Sequence, residues 1–186
     1  MFDLERFVED CREAQENGKG GQGAVQDLLT RALEQPNAVI QAIGEPQRAG
    51  AHKIYHSDRL TILNLVWGPH MTLMPHNHQM WAVIGLYTGR EDNIFWRRVG
   101  EGGEARVEAA GAKALGVKDC APLGKDIIHS VTNPVPRLTG ALHIYGGDFF
   151  NEPRSEWDPE MLTERPFNME VNMALFEKSN RLLEQG

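Results

Sequence analysis

Leu60-Thr61-Ile62-Leu63-Asn64-Leu65-Val66-Trp67 opens a series of short apolar runs, each cut by Gly, Pro, Asn or Asp within about ten residues. The series continues through Trp81–Tyr87, Asn93–Trp96, Lys113–Cys120, Asp126–Val131 and Leu138–Tyr145. Runs this short, at this spacing, predict strands, and their number predicts an all-β sandwich or barrel over residues 50–150. No helical pattern separates them, which argues against a parallel α/β sheet. A double-sheet jelly roll is among the architectures that close such a meander.

Helices flank this region. Leu4, Phe7, Val8 and Cys11 recur at helical spacing, Gly18-Lys19-Gly20-Gly21 breaks the pattern, and Val25, Leu28, Leu29 and Leu33 resume it until Pro36. After Pro166 the stripe Met169, Met173, Phe176 and Leu183 predicts a helix over 166–185 lying against the barrel. One domain over 1–186 is expected, with a helical segment at 1–36, the barrel at 50–150 and the closing helix.

The chain carries a formal net charge of −7, and its only notable basic pair is Arg97-Arg98. That balance argues against a nucleic-acid binder, which needs clustered Lys and Arg. No run approaches the roughly 18 apolar residues of a membrane span. The acidic start lacks the basic and apolar blocks of a secretory signal, so a cytoplasmic protein is expected. Cys11 and Cys120 stand far apart without metal-ligand spacing and are expected to be free thiols, Cys11 as a packed core residue.

The chemistry concentrates in Pro75-His76-Asn77-His78-Gln79-Met80-Trp81. Two histidines one residue apart on a strand point the same way, because side chains alternate between faces. They can aim two imidazoles at one cation about 2 Å from each nitrogen. Alone the pair is a weak signal, met more often as polar barrel lining. Further on, Pro122-Leu-Gly124-Lys-Asp-Ile-Ile-His129 sets a third histidine on an apolar strand. A histidine there needs a partner, and a metal shared with His76 and His78 would supply one.

The stretch from Gly68 to His78, with Pro122-x-Gly124 and His129-x-x-x-Asn133, resembles the two short motifs of the cupin superfamily. Many cupins add a glutamate four or five residues after His-x-His, where this chain has Ala82 and Val83. With three histidines and no acid, it resembles the thiol dioxygenases, the group of cysteine, mercaptopropionate and cysteamine dioxygenase. Trp67, nine residues before His76, the two helices before the barrel, and Leu142-His143-Ile144-Tyr145 agree with that group. Ala141 stands where the family often has serine. Val83 stands where animal enzymes have a cysteine joined to the tyrosine, so that crosslink cannot form. No arginine aligns with the one that holds the carboxylate in cysteine dioxygenase, although His52, Lys53 and Arg59 lie near its place.

The resemblance implies a cupin double-stranded β-helix holding one mononuclear Fe(II) on His76, His78 and His129, a set that also accepts Ni, Cu or Zn. It implies a cysteine dioxygenase-like oxidoreductase that adds O2 to the sulfur of a small thiol to give a sulfinate. Three imidazoles leave about three positions open on six-coordinate iron and one negative charge short, which a substrate thiolate could provide. Tyr145 is then a hydrogen-bond donor or acid toward oxygen, oriented by His143 two residues away. For both, plain barrel filling is the competing reading. Trp81, Trp67 and His70 are expected around the substrate pocket, with an ordinary core role equally open for Trp81. Cupins commonly pair, which leaves room for a homodimer. The competing functions are a metal-binding cupin with a non-thiol substrate, a zinc hydrolase, and a non-enzymatic sensing or binding protein.

Overall fold

The computed structural model describes residues 2–16, 21–102 and 105–185. The expected break at Gly18-Lys19-Gly20 lies outside the described residues, and Gly21 already belongs to the next helix. Helices α1 (Leu4–Glu16) and α2 (Gly21–Leu33) bury Phe7, Cys11, Val25, Leu29 and Leu33, the residues at helical spacing. Pro36 does not end the helical segment. It opens a third helix, α3 (Pro36–Ile43), in whose first turn a missing N–H costs no intrahelical bond.

Nine strands follow: β1 (Gly50–His56), β2 (Thr61–Trp67), β3 (Thr72–Asn77), β4 (Ala82–Thr88), β5 (Arg90–Val99), β6 (Arg106–Gly116), β7 (Cys120–Leu123), β8 (Ile128–Thr132) and β9 (Thr139–Tyr145). The apolar run Lys113–Cys120 is not one strand. It turns between β6 and β7, with Lys118 at φ 77°. Two short strands, β10 (Ser155–Trp157) and β11 (Glu164–Pro166), lie beyond the expected 50–150 span, and helix α4 (Met169–Leu183) closes the described chain.

The pairing is nested. β2 pairs with β9, β3 with β8, β4 with β7 and β5 with β6, all antiparallel, as if one long hairpin had been folded. Rolling that hairpin up adds the pairs β4–β9 and β5–β8 and divides the strands between two sheets. Their orders are β1-β2-β9-β4-β7 and β11-β10-β3-β8-β5-β6. This is a jelly roll, one of the architectures open to the strand pattern and the double-stranded β-helix that the resemblance implies.

Two cores explain why the strands of the first sheet read as unbroken apolar runs. Leu63, Leu65, Trp67, Ala141 and Tyr145 face the inside of the roll. Ile62, Val83, Leu142 and Ile144 face outward, under the N-terminal helices. A sheet covered on both faces cannot alternate apolar with polar. Gly85 lets α2 rest directly on β4, since a Cβ there would stand 2.5 Å from a Leu33 methyl carbon.

Helix α4 stops one end of the roll. Asn168 caps it by accepting the Val171 N–H at 3.0 Å. Phe176 stacks on Trp67 with ring centroids 5.4 Å apart, and Asn180 bonds both the N–H and the C=O of Ala49.

Candidate metal centre

His76 and His129 are directly opposed across the β3–β8 ladder. The ladder slips between Leu73 and His76, where Pro75 has no N–H to donate. The Met74 carbonyl meets His76 Nδ1 at 2.9 Å instead. His76 therefore donates from Nδ1 and keeps the Nε2 lone pair free. His78 lies just beyond the end of β3, and Gln79 in left-handed backbone (φ 57°) ends the strand there. Asn77 points the other way and accepts the Ser155 N–H at 2.8 Å.

The three Nε2 atoms converge. His78 Nε2 lies 3.3 Å from both His76 Nε2 and His129 Nε2, and the three rings offer nitrogens all within 4.8 Å of one another. Nitrogens about 2.0–2.1 Å from one ion, at octahedral to tetrahedral angles, stand roughly 2.8 to 3.4 Å apart, so both 3.3 Å separations fit a single metal. All three rings are buried. Burial, with a smaller contribution from Arg154, lowers His76 to about 4. Burial also takes His78 and His129 well below the ordinary range, His78 with added effect from its histidine neighbours. Neutral imidazoles with converging lone pairs are a cation's ligands. Among themselves they can satisfy only some of those lone pairs.

A polar network backs the ligands. His129 Nδ1 donates to Asn93 Oδ1 at 2.7 Å, and Asn93 Nδ2 donates to Glu91 Oε1 at 3.0 Å. The other Glu91 oxygen accepts from Trp67 Nε1 at 2.7 Å and faces His143 Nε2 at 3.2 Å. His143 Nδ1 in turn lies 3.1 Å from the Tyr145 hydroxyl. Desolvation alone would raise the fully buried Glu91, but His143, Asn93 and Trp67 hold its carboxyl below the usual range. Burial pushes Tyr145 far up, so its hydroxyl keeps its proton.

The expected residues divide. His76, His78, His129, His143, Tyr145 and Trp67 all line one cavity of about 30 Å³. Trp81 does not wall it. Its ring packs over Gly146 on the helix-covered side of the sheet. His70 is exposed in the turn before β3 and borders a shallow surface hollow with Leu175 and Lys178 instead. Asn133 ties turns together, donating to the carbonyls of Gly68 and Arg137.

Two residues escaped the sequence reading. Glu91 begins a polar Glu-Asp-Asn stretch that looks like a turn, yet strand alternation sends Glu91 and Asn93 inward together. Arg154 precedes β10, its guanidinium held between Phe149 and Phe167 at 3.9 and 4.2 Å from the ring centroids. Both terminal nitrogens are buried without a hydrogen-bond partner among the described residues. Burial brings its pKa down to about 10, and its charge in turn lowers His76, His78 and Tyr145. No local pattern announces this residue, since its neighbours in space come from distant segments.

No protein-family profile matches the chain. Among solved structures, an RmlC-like cupin with a double-stranded β-helix fold from Methanocaldococcus jannaschii overlaps 56% of this chain and 85% of its own, at 7% identity and TM-score 0.46. A cupin superfamily protein from Desulfitobacterium hafniense overlaps 56% of this chain and 84% of its own, at 13% identity and TM-score 0.43. A mutant of Bacillus subtilis oxalate decarboxylase overlaps 58% of this chain but only 28% of its own, at 14% identity and TM-score 0.42. At such low identity and partial overlap, none of them speaks to the chemistry of this chain. What the nested strand pairs and the histidine cluster establish by themselves is a cupin-type double-stranded β-helix with three buried imidazoles arranged to share one metal.

Proposed function

We propose that this chain is a mononuclear non-haem iron dioxygenase that joins O2 to the sulfur of a small thiol carboxylate, R–SH + O2 → R–SO2H. The observation that carries it is the three-histidine cluster together with Arg154, which packs on two rings that line the cavity, lowers His76 and His78 by its charge, and has terminal nitrogens without a partner among the described residues. Iron held by His76, His78 and His129 would supply the redox centre for the oxygen transfer.

The chain's own residues then have separate tasks. Arg154 attracts the carboxylate, since a buried guanidinium left unpaired costs free energy that a fork-shaped anion recovers. Phe149 and Phe167 pack against the planar guanidinium and shield it from water. Leu73, Val131 and Phe176 exclude water from the cavity, and its small volume restricts the substrate to a few heavy atoms beyond the sulfur. Tyr145 packs its ring edge-on to His78, with centroids 5.0 Å apart, and its hydroxyl, paired with His143 Nδ1, would handle the thiol proton.

The test is oxygen uptake by iron-loaded protein with cysteine, mercaptopropionate, cysteamine and a cysteine-ended peptide, with product masses read for two added oxygens. Uptake with the carboxylate-bearing thiols, weaker with cysteamine, is expected. Iron bound at these histidines with no uptake for any thiol would overturn the proposal and leave the fold and metal centre standing.

A further inference from the structure

Strand β5 contributes no ligand, yet it carries a fully buried carboxylate, Glu91, and two separate chains of hydrogen bonds meet on it. One runs Glu91–Asn93–His129 and ends at a metal ligand. The other runs Glu91–His143–Tyr145 and ends at the cavity's hydroxyl. We propose that Glu91 is a positioning residue which sets the direction of every hydrogen bond along both chains. Its second chain matters to catalysis only if the proposed thiol chemistry holds, whereas its first concerns metal binding alone.

The polarity follows from donor counting. A carboxylate only accepts. The Trp67 Nε1–H can only donate, and it donates to Glu91. Asn93 must therefore turn its NH2 to Glu91 and its carbonyl oxygen to His129. That places the His129 proton on Nδ1 and leaves Nε2 as a lone pair toward the other two histidines. On the second chain, His143 must offer Glu91 an Nε2–H, so in the neutral ring Nδ1 accepts and the Tyr145 hydroxyl donates to it. Tyr145 then turns lone pairs, not its proton, toward the cavity. Under this proposal Tyr145 would take the proton of an incoming thiol, in place of the donor role that the resemblance implies. His143 thus takes its partner from another strand, β5.

Glu91→Gln cannot keep both chains. If the new amide oxygen accepts from Trp67 and His143, the new NH2 confronts the Asn93 NH2, and Asn93 must flip and present donors to His129. If the oxygen accepts from Asn93, the new NH2 confronts Trp67 and His143, and the His143 proton must move to Nδ1.

The experiment reads imidazole tautomers by 15N NMR in the full-length protein, metal-free and zinc-loaded, with no thiol or oxygen chemistry involved. In the unaltered protein, His129 is expected as the Nδ1–H form and His143 with a proton on Nε2. The opposite form of either ring there overturns the proposal without any variant needing to fold. In Glu91→Gln one ring is expected to switch, whereas Glu91→Asp, which keeps the carboxylate, retains both. Should His129 be the ring that switches, zinc affinity falls by about 10–100-fold. Both rings unchanged in a folded Glu91→Gln protein would likewise overturn it. Failure of thiol turnover, with the tautomers as expected, would count against the proposed function alone.

Discussion

His129 Nε2 on β8 stands 3.3 Å from Nε2 of His78, which lies just beyond the end of β3, and the further neighbour of His78 Nε2, also at 3.3 Å, is the third imidazole of the cluster, His76. Two buried, neutral imidazoles held this close pay for desolvation unless a cation takes their lone pairs. His129→Ala is expected to lower affinity for divalent metal by on the order of 100-fold or more, since a removed ligand costs at least as much as a removed supporting bond. Isothermal titration with zinc or anaerobic iron measures it. Undiminished binding would show that the metal sits elsewhere.

Arg154 should divide substrates by charge. Replacing it with Met keeps length and contact with Phe149 and Phe167 while deleting the guanidinium. A charge-assisted hydrogen bond contributes roughly 1.5–3 kcal/mol, so kcat/KM for a thiol carboxylate is expected to fall about 10–100-fold, with little change for cysteamine. The same variant should unfold at no lower urea concentration, because it removes a buried charge whose terminal nitrogens lack partners. Equal losses for charged and uncharged thiols would refute the assignment.

The metal-free protein should lose stability in acid. Burial depresses His76 to about 4 and takes His78 and His129 well below the ordinary range. In the unfolded chain these rings titrate near about 6.5. Below that value the unfolded state binds more protons than the folded one, so stability falls as pH drops through and below about 6.5, His76 contributing down to about 4. Urea midpoints at a series of pH values measure the slope. Replacing His78 and His129 with Gln should flatten it, and an unchanged slope would place the acid-sensitive groups elsewhere.

Much of this architecture was legible beforehand because its signals are local. Strand alternation put His143 and Tyr145 on one face, and the spacing of Phe7, Cys11, Val25 and Leu29 marked two helices. What was illegible depends on where distant segments land. Trp81 follows His78 closely in sequence, yet it faces the N-terminal helices while Met80 faces the roll interior. Arg154 gains its meaning from two rings whose positions no neighbouring residue encodes. Glu91 fell outside the expected Asn93–Trp96 strand because β5 begins at Arg90, earlier than its apolar run suggests. Pro36 shows the converse error, a helix starter read as a helix stop.

Tyr145→Phe separates a chemical role from a packing one. The ring lies between His78 and Phe149, with centroids 5.0 and 4.4 Å away, and Phe preserves both contacts. Only the hydroxyl disappears, leaving His143 Nδ1 without its partner at a cost of about 1–3 kcal/mol in stability. Metal content should stay the same, because no ligand touches the hydroxyl in the hydrogen-bond network described. Turnover of a thiol should fall by roughly 10²–10⁴-fold if the hydroxyl handles a proton during the reaction. Parallel measurement of bound iron and oxygen uptake decides it. Metal loss together with activity would make Tyr145 a structural support of the centre, and full activity with iron retained would leave the hydroxyl as barrel filling.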